Sequence, residues 1–181
     1  MDKPLTRDQE ISLLQLARLA IAHYLKEGTP PDTGTDDAVF KQKRGAFVTL
    51  KVKGQLRGCI GYPIPHMSLF DTIIDAAISA ATKDFRFPNL EIKELDDTKI
   101  EISVLTPPRL IKDISEIEVG IHGIIITKGL SRGLLLPQVP LEWGWDRETF
   151  LRHGCMKAGL EEDDWKKGAQ IEIFSAQVFS E

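Results

Sequence analysis

The sequence predicts an α+β fold of antiparallel sheets with flanking helices. Short stretches of alternating apolar and polar residues occur in pairs, as in β-hairpins, and helical stripes separate them. No regular strand–helix–strand repeat is present, so a parallel sheet is not expected. Apolar residues make up 42% of the 181 residues and charged residues 28%. This composition is typical of a globular protein and excludes a disordered or fibrous chain.

The first predicted element is a helix that begins after Thr6 and ends near Gly28. Thr6 and Gln9 have the spacing of a capping box, and apolar residues then recur at helical spacing as far as Leu25. Gly28 suits the left-handed position after a helix, and Pro30-Pro31 prevents continuation.

Two strands follow and form a predicted hairpin. A three-residue loop at residues 52–54 would pair Leu50 with Leu56 and Phe47 with Cys59. We prefer this register to one with a two-residue loop, because it keeps the apolar side chains on one face. Three residues of the second strand then lie together on the opposite face: Arg57, Cys59 and Gly61.

The remaining elements follow in chain order: a helix over 68–83, a strand over 100–105, strands over 121–127 and 133–139, a helix from Asp146 to Gly159, and a last strand over 169–179. We expect the last strand to pair with the N-terminal sheet, because chain termini often lie close together in a domain. Residues 1–110 and 169–181 would then form the larger subdomain. Residues 111–168 would form a smaller inserted subdomain.

Charge and cysteine content restrict the partners and the compartment. The net charge of −4 disfavours nucleic acid, although six cations without an intervening acid lie between Lys41 and Arg57. No apolar stretch is long enough for a membrane helix, and no apolar segment of a signal peptide follows Met1-Asp2-Lys3-Pro4. Two distant cysteines form neither a redox pair nor a zinc motif, so we expect a cytoplasmic protein without metal or cofactor.

The segment Leu56-Arg57-Gly58-Cys59-Ile60-Gly61 is the strongest candidate for a functional site. A neighbouring cation lowers the pKa of a thiol, and Arg57 lies two residues from Cys59 on the same strand. Glycines weaken a strand, so Gly58 and Gly61 suggest the close approach of a ligand or of another backbone. The alternative is that Cys59 is a small buried apolar residue, as most free cysteines are.

Histidines supply the candidate bases for a thiol mechanism. The candidates are His66, His122 and His153. His122 lies at the start of a predicted strand and is the preferred base, although a lone histidine is more often a structural hydrogen-bonding group. His153 and Cys155 lie two residues apart on a helix and therefore do not face each other.

Several other side chains could contact a substrate. Arg86 lies between two phenylalanines and could bind an anionic or planar group, or could hold its loop onto the core. Gln138 and Glu142 are candidate polar anchors near an apolar run, although buried polar groups are usually satisfied internally. Trp143 and Trp145 could form an exposed platform, but we expect them to be buried.

Three segments together resemble the AMMECR-one family, named after the Alport syndrome, midface hypoplasia and elliptocytosis chromosomal region. They are the hexapeptide from Leu56 to Gly61, Arg132-Gly133-Leu134-Leu135-Leu136-Pro137-Gln138-Val139, and Cys155-Met156-Lys157-Ala158-Gly159-Leu160. Asp84-Phe85-Arg86-Phe87-Pro88 also fits, whereas Glu161-Glu162 departs from the family, which is expected to have proline there. The resemblance covers nearly the whole chain.

The resemblance implies two subdomains, with the hexapeptide facing the cleft between them. It implies no single activity. Microbial members of the family look linked to, or fused with, Memo-type and radical-SAM proteins, so the resemblance implies proteins of these two types as pathway partners.

Two functions remain open on the sequence. The first is an enzyme with three catalytic residues, Cys59, Arg57 and His122. Its substrate, a peptide, a protein or a small molecule, would be bound by Gly58, Ile60, Gly61, Arg86, Gln138 and Glu142. The second is a non-enzymatic module that binds a peptide or a protein, and a nucleic-acid clamp is a distant third.

Overall fold

The computed structural model describes residues 4–181 and divides the chain into two compact units. Unit 1 comprises the chain up to Leu105 together with Gln177–Glu181, and unit 2 comprises Thr106–Ala176. Residues 1–3, on which the expectation of a missing signal peptide partly rests, lie outside the described residues. The predicted α+β class is confirmed, because both units contain antiparallel strands and α-helices.

Unit 1 consists of a three-stranded antiparallel core and two helices. Its elements are α1 (Arg7–Glu27), β1 (Ala46–Val52), β2 (Gln55–Tyr62), α2 (Leu69–Thr82) and β3 (Thr98–Leu105). The central strand β1 pairs with β2 on one side and with β3 on the other. The helices and one face of the sheet share a buried apolar core that includes Leu13, Ile21, Val48, Leu50, Ile73 and Ile102.

The predicted ends of α1 and α2 are confirmed. The Thr6 hydroxyl accepts a hydrogen bond from the Gln9 amide, and the Gln9 side chain accepts one from the Thr6 amide. Gly28 has a left-handed φ of 74°, which ends α1. Ser68 caps α2 by accepting a hydrogen bond from the Asp71 amide at 3.1 Å.

The predicted register of the β1–β2 hairpin is wrong in its loop and in its pairs. Lys53 and Gly54 both have positive φ and form a two-residue turn, so Leu50 pairs with Gly58 and Thr49 with Cys59. Arg57 has no partner on β1 because the register shifts there, which is a β-bulge. The extra residue resets the alternation of side chains. Cys59 therefore lies on the face opposite Leu50, as predicted, although the predicted loop length and strand pairs are wrong.

Gly58 is buried where α2 crosses β2. A Cβ at this position would lie 2.1 Å from the backbone oxygen of Ala80. This distance is far below van der Waals contact, so only glycine allows the helix backbone to approach the strand this closely.

Unit 2 contains the remaining strands and two α-helices. Its elements are β4 (Arg109–Leu110), β5 (His122–Lys128), β6 (Ser131–Leu135), α3 (Val139–Trp143), α4 (Arg147–Lys157) and most of β7 (Gln170–Ser180). Strand β5 pairs with β6 and β7, and β4 also pairs with β7. The core of this unit includes Ile117, Ile124, Ile126, Phe150, Cys155 and Ile173.

Two expectations for this part of the chain are wrong. The predicted strand over 133–139 ends at Leu135, and the helix α3 follows it, since Pro137 cannot continue a strand ladder. The last strand does not belong wholly to the N-terminal sheet, because residues 170–175 pair with β5. Only its end lies beside β3, where the Glu181 amide donates a hydrogen bond to the Ile100 oxygen.

Within residues 4–181, no helix combines the length and the apolar character needed to span a membrane.

The contact between Gly58 and Ala80 predicts a sharp cost for a single methyl group. Gly58→Ala should lower the free energy of unfolding by about 1–3 kcal/mol, because helix and strand must separate. Gly34→Ala is the matched control, since a Cβ at Gly34 meets no atom within 4 Å. Urea unfolding of both variants measures the difference. Equal stability of the two variants would contradict the observed packing.

Candidate functional site

Cys59 lies in the middle of β2 and is half-buried. Its thiol sulfur accepts a hydrogen bond from the Thr49 hydroxyl at 3.2 Å, across the pair that joins β1 and β2. Its backbone amide donates a hydrogen bond to Asp84 Oδ2 at 2.9 Å. The strand is therefore held by an acidic side chain from outside the sheet.

Asp84 lies two residues after the end of α2 and is buried. Besides the Cys59 amide, its carboxylate accepts hydrogen bonds from Arg86 Nε at 2.9 Å and from Arg86 Nη2 at 2.7 Å. These bonds to Arg86, and then the Cys59 amide, hold the pKa of Asp84 far below its usual range, although burial acts in the opposite direction. Asp84 is thus a buried carboxylate that remains ionised.

Arg86 is the cation that approaches Cys59. Its Nη2 atom lies 3.4 Å from the backbone carbonyl oxygen of Cys59, and its guanidinium lies over the Phe87 ring at 5.4 Å from the centroid. The pKa of Arg86 is raised, first of all by its hydrogen bonds to Asp84, although burial acts in the opposite direction. The guanidinium is about half exposed, so it faces both solvent and the strand.

Arg57, which the sequence analysis placed over the sulfur, is hydrogen-bonded elsewhere. Its Nε and Nη2 atoms donate to the two oxygens of Glu94, at 3.1 and 3.0 Å. It also donates to the backbone oxygens of Pro88 and Asn89. The pKa of Glu94 is lowered, first of all by this pairing. The bulge in β2 therefore directs Arg57 toward the segment after Pro88, where it acts as a structural anchor.

These contacts fix the loop between α2 and the 3-10 helix Ile92–Asp97. Asp84 holds its beginning, Arg57 holds its end, and the Leu90 amide donates to the Ala81 oxygen at 2.7 Å. Between the two anchors, the Phe85 side chain is 96% exposed. An aromatic ring is thus held in solvent on a well-anchored loop, one residue from the cation that approaches Cys59.

The other predicted contacts of unit 1 lie on both faces of β2. Gly58 and Ile60 are on the core face, and Ile60 pairs with Val48. Gly61 is on the face of Cys59, but a Cβ there would lie 2.3 Å from the Ala46 oxygen. Gly61 thus allows the close approach of the neighbouring strand.

The remaining predicted residues belong to unit 2. The Nδ1 atom of His122 accepts a hydrogen bond from the Glu118 amide at 3.0 Å, so the lone pair on that nitrogen is already used. Gln138 precedes α3 and Glu142 lies within it, and both side chains are exposed. The structure thus brings Cys59 and Arg86 together in one unit, and describes His122, Gln138 and Glu142 in the other.

Four residues around Cys59 and its loop were not predicted as site residues from the sequence: Asp84, Glu94, Thr49 and Phe85. One signal was available for Asp84, namely an acid two residues before an arginine at the end of a helix. Glu94 and Thr49 become recognisable only from the bulge and the register. Within residues 4–181, no group of three or more potential metal ligands occurs together.

Comparison with known proteins identifies the family. The AMMECR1 family model matches residues 14–179. A protein of Methanothermobacter thermautotrophicus is 50% identical, over 98% of this chain and 97% of its own length. A protein of Methanopyrus kandleri is 46% identical, over 100% of this chain and 92% of its own. The crystal structure of an uncharacterised protein from Pyrococcus horikoshii superposes with a TM-score of 0.76 at 44% identity, over 94% of this chain and 90% of that one.

Proposed function

The chain belongs to the AMMECR1 family, and from this premise we propose that unit 1 is a binding module for a peptide or protein segment. The segment would contact the surface formed by Phe85, Arg86 and Cys59, which we call the Phe85 surface. The observation that carries the proposal is the almost complete exposure of Phe85 on an anchored loop.

The energetics of Phe85 support this function. Removing a phenylalanine side chain from water stabilises a complex by about 1.5–3 kcal/mol. Because Asp84 and Arg57 already fix the loop, little conformational entropy is lost when a partner covers the ring. A preorganised aromatic side chain is the usual centre of a protein-binding surface.

The positive charge of Arg86 further restricts the chemistry of the bound segment. Arg86 is half exposed beside Phe85, and its guanidinium can donate hydrogen bonds to an additional carboxylate or carbonyl of a bound segment. The Cys59 carbonyl and the Thr49–Cys59 pair would add polar contacts on the adjoining strand. We therefore propose a ligand segment with an apolar side chain next to an acidic or amide side chain.

A selection from random phage-displayed peptides on the immobilised protein tests this proposal. Peptides recovered on the wild type should bind the Phe85→Ala variant about 30-fold more weakly in isothermal titration calorimetry, because the aromatic anchor is missing. Leu130→Ala, at another fully exposed apolar residue, is the matched control and should bind within about twofold of the wild type. Failure to recover peptides, or equal binding by Phe85→Ala, would contradict the proposal.

Thiol chemistry at Cys59 is the second candidate function. Two observations favour it: the Thr49 hydroxyl donates to the sulfur, and the Arg86 guanidinium lies 3.4 Å from the backbone oxygen of the same cysteine. A nearby cation and a hydrogen-bond donor both stabilise a thiolate. Arg86 would then have the activating role that the sequence analysis gave to Arg57.

Alkylation by iodoacetamide at neutral pH tests this second candidate. Cys59 should react well before Cys155, whose thiol is buried in unit 2 with a pKa that burial raises. Arg86→Gln should slow the reaction of Cys59 about threefold or more, since the neighbouring positive charge is lost. Arg132→Gln, which removes an exposed arginine of unit 2, is the control. Unchanged alkylation in Arg86→Gln, or no reaction of Cys59 without denaturant, would count against thiol chemistry.

A further inference from the structure

Strand β2 has a free edge. In the part of the chain that the structure describes, the strand order begins at β2 and continues with β1, so β2 is paired on one side only. In an antiparallel ladder, every second residue directs its amide and carbonyl away from the partner strand. Cys59 is such a residue, because its amide donates to Asp84 rather than to β1. By the same alternation, Gly61 is the next residue whose main-chain groups face the free edge.

A free edge of this kind can recruit a strand from another molecule. Its main-chain donors and acceptors continue the ladder with any extended backbone that reaches them. Charged side chains on an edge strand oppose such pairing, but the segment from Gly58 to Tyr62 carries none. Protection of this edge must therefore come from other parts of unit 1.

Asp84 and Arg86 together occupy the edge at Cys59. Asp84 Oδ2 accepts a hydrogen bond from the Cys59 amide at 2.9 Å, and Arg86 Nη2 donates to the Cys59 carbonyl oxygen at 3.4 Å. The two side chains are bonded to each other through Arg86 Nε at 2.9 Å and Arg86 Nη2 at 2.7 Å. In an antiparallel ladder, one residue of an added strand would supply the same acceptor and the same donor. The ion pair therefore takes the place of that residue.

The edge is also interrupted on either side of Cys59. On one side, the β-bulge at Arg57 breaks the regular ladder. On the other side, β2 ends at Tyr62, and Pro63 has no amide hydrogen to donate. Bulges and prolines are common means of limiting a strand edge. The regular part of the free edge is therefore limited to Cys59 and Gly61.

We propose that the Asp84–Arg86 pair blocks strand addition at β2, and that the strand it excludes is β2 of a second copy of this chain. Two such strands can pair edge to edge about a two-fold axis at Ile60, because each Cys59 then lies opposite Gly61 of the other copy. Both residues direct their main-chain groups outward, so this pairing satisfies all of these groups at once. The block does not depend on the function proposed for the Phe85 surface.

Removal of the ion pair tests the block. In the double variant Asp84→Ala/Arg86→Ala both charges are lost together, so no buried charge remains unpaired. This variant should self-associate at least about tenfold more strongly than the wild type in sedimentation velocity, because the main-chain groups of Cys59 become available. Arg86→Ala alone frees only the carbonyl and should give an intermediate association constant. Arg132→Ala, at an exposed and ion-paired arginine of unit 2, is the matched control and should sediment like the wild type.

Amide hydrogen exchange distinguishes strand pairing from unspecific aggregation. In the double variant, the Gly61 amide should become protected as the protein concentration rises, since it then donates to the Cys59 carbonyl of the other copy. In the wild type, the exchange rate of this amide should not depend on concentration. Circular dichroism shows whether each variant is folded, and Arg86→Ala provides the test if the double variant is not. Unchanged self-association, association without protection of the Gly61 amide, or concentration-dependent protection in the wild type would overturn the proposal.

Discussion

The carboxylate of Asp84 joins three parts of unit 1: the end of α2, the middle of β2 and the loop that carries Phe85. It accepts the Cys59 amide and two nitrogens of the Arg86 side chain while being almost wholly buried. A buried carboxylate is unfavourable unless such donors surround it. The loop therefore keeps the conformation that supplies them, and the positions of Arg86 and Phe85 follow from this requirement.

This constraint changes the role of the hexapeptide from Leu56 to Gly61. Its glycines allow α2 and β1 to approach the strand, and its arginine anchors the far end of the loop through Glu94. Much of the hexapeptide thus builds a support for the segment from Asp84 to Pro88. In the function proposed above, the ligand contacts Phe85 and Arg86, with Cys59 beside them.

The sequence predicted what depends on local patterns and failed where distant contacts decide. The ends of α1 and α2 follow from Thr6, Gly28 and Ser68, and they were predicted because caps are local. The predicted hairpin register was wrong because local alternation does not report the bulge at Arg57, whose side chain pairs with Glu94 far along the chain. Cys59 was nevertheless assigned to the correct face. The predicted three-residue loop and the observed two-residue turn with its one-residue bulge place the same side chains on each face at Cys59. The importance of Asp84 depends on three-dimensional packing, and no spacing in the sequence reports its burial.

The pH dependence of stability in wild type and Asp84→Asn tests the central role of Asp84 most directly. Because the pKa of Asp84 is lower in the folded than in the unfolded chain, its stabilisation is present above about pH 4 and is lost as the pH falls through the folded value. Urea unfolding at pH 7 should show Asp84→Asn less stable than wild type by about 2–4 kcal/mol, and this difference should shrink by about 1–2 kcal/mol at pH 2.5. Asp36→Asn, at a fully exposed aspartate, is the control and should show neither effect. A difference within about 0.5 kcal/mol at pH 7, or one that does not change with pH, would contradict the account.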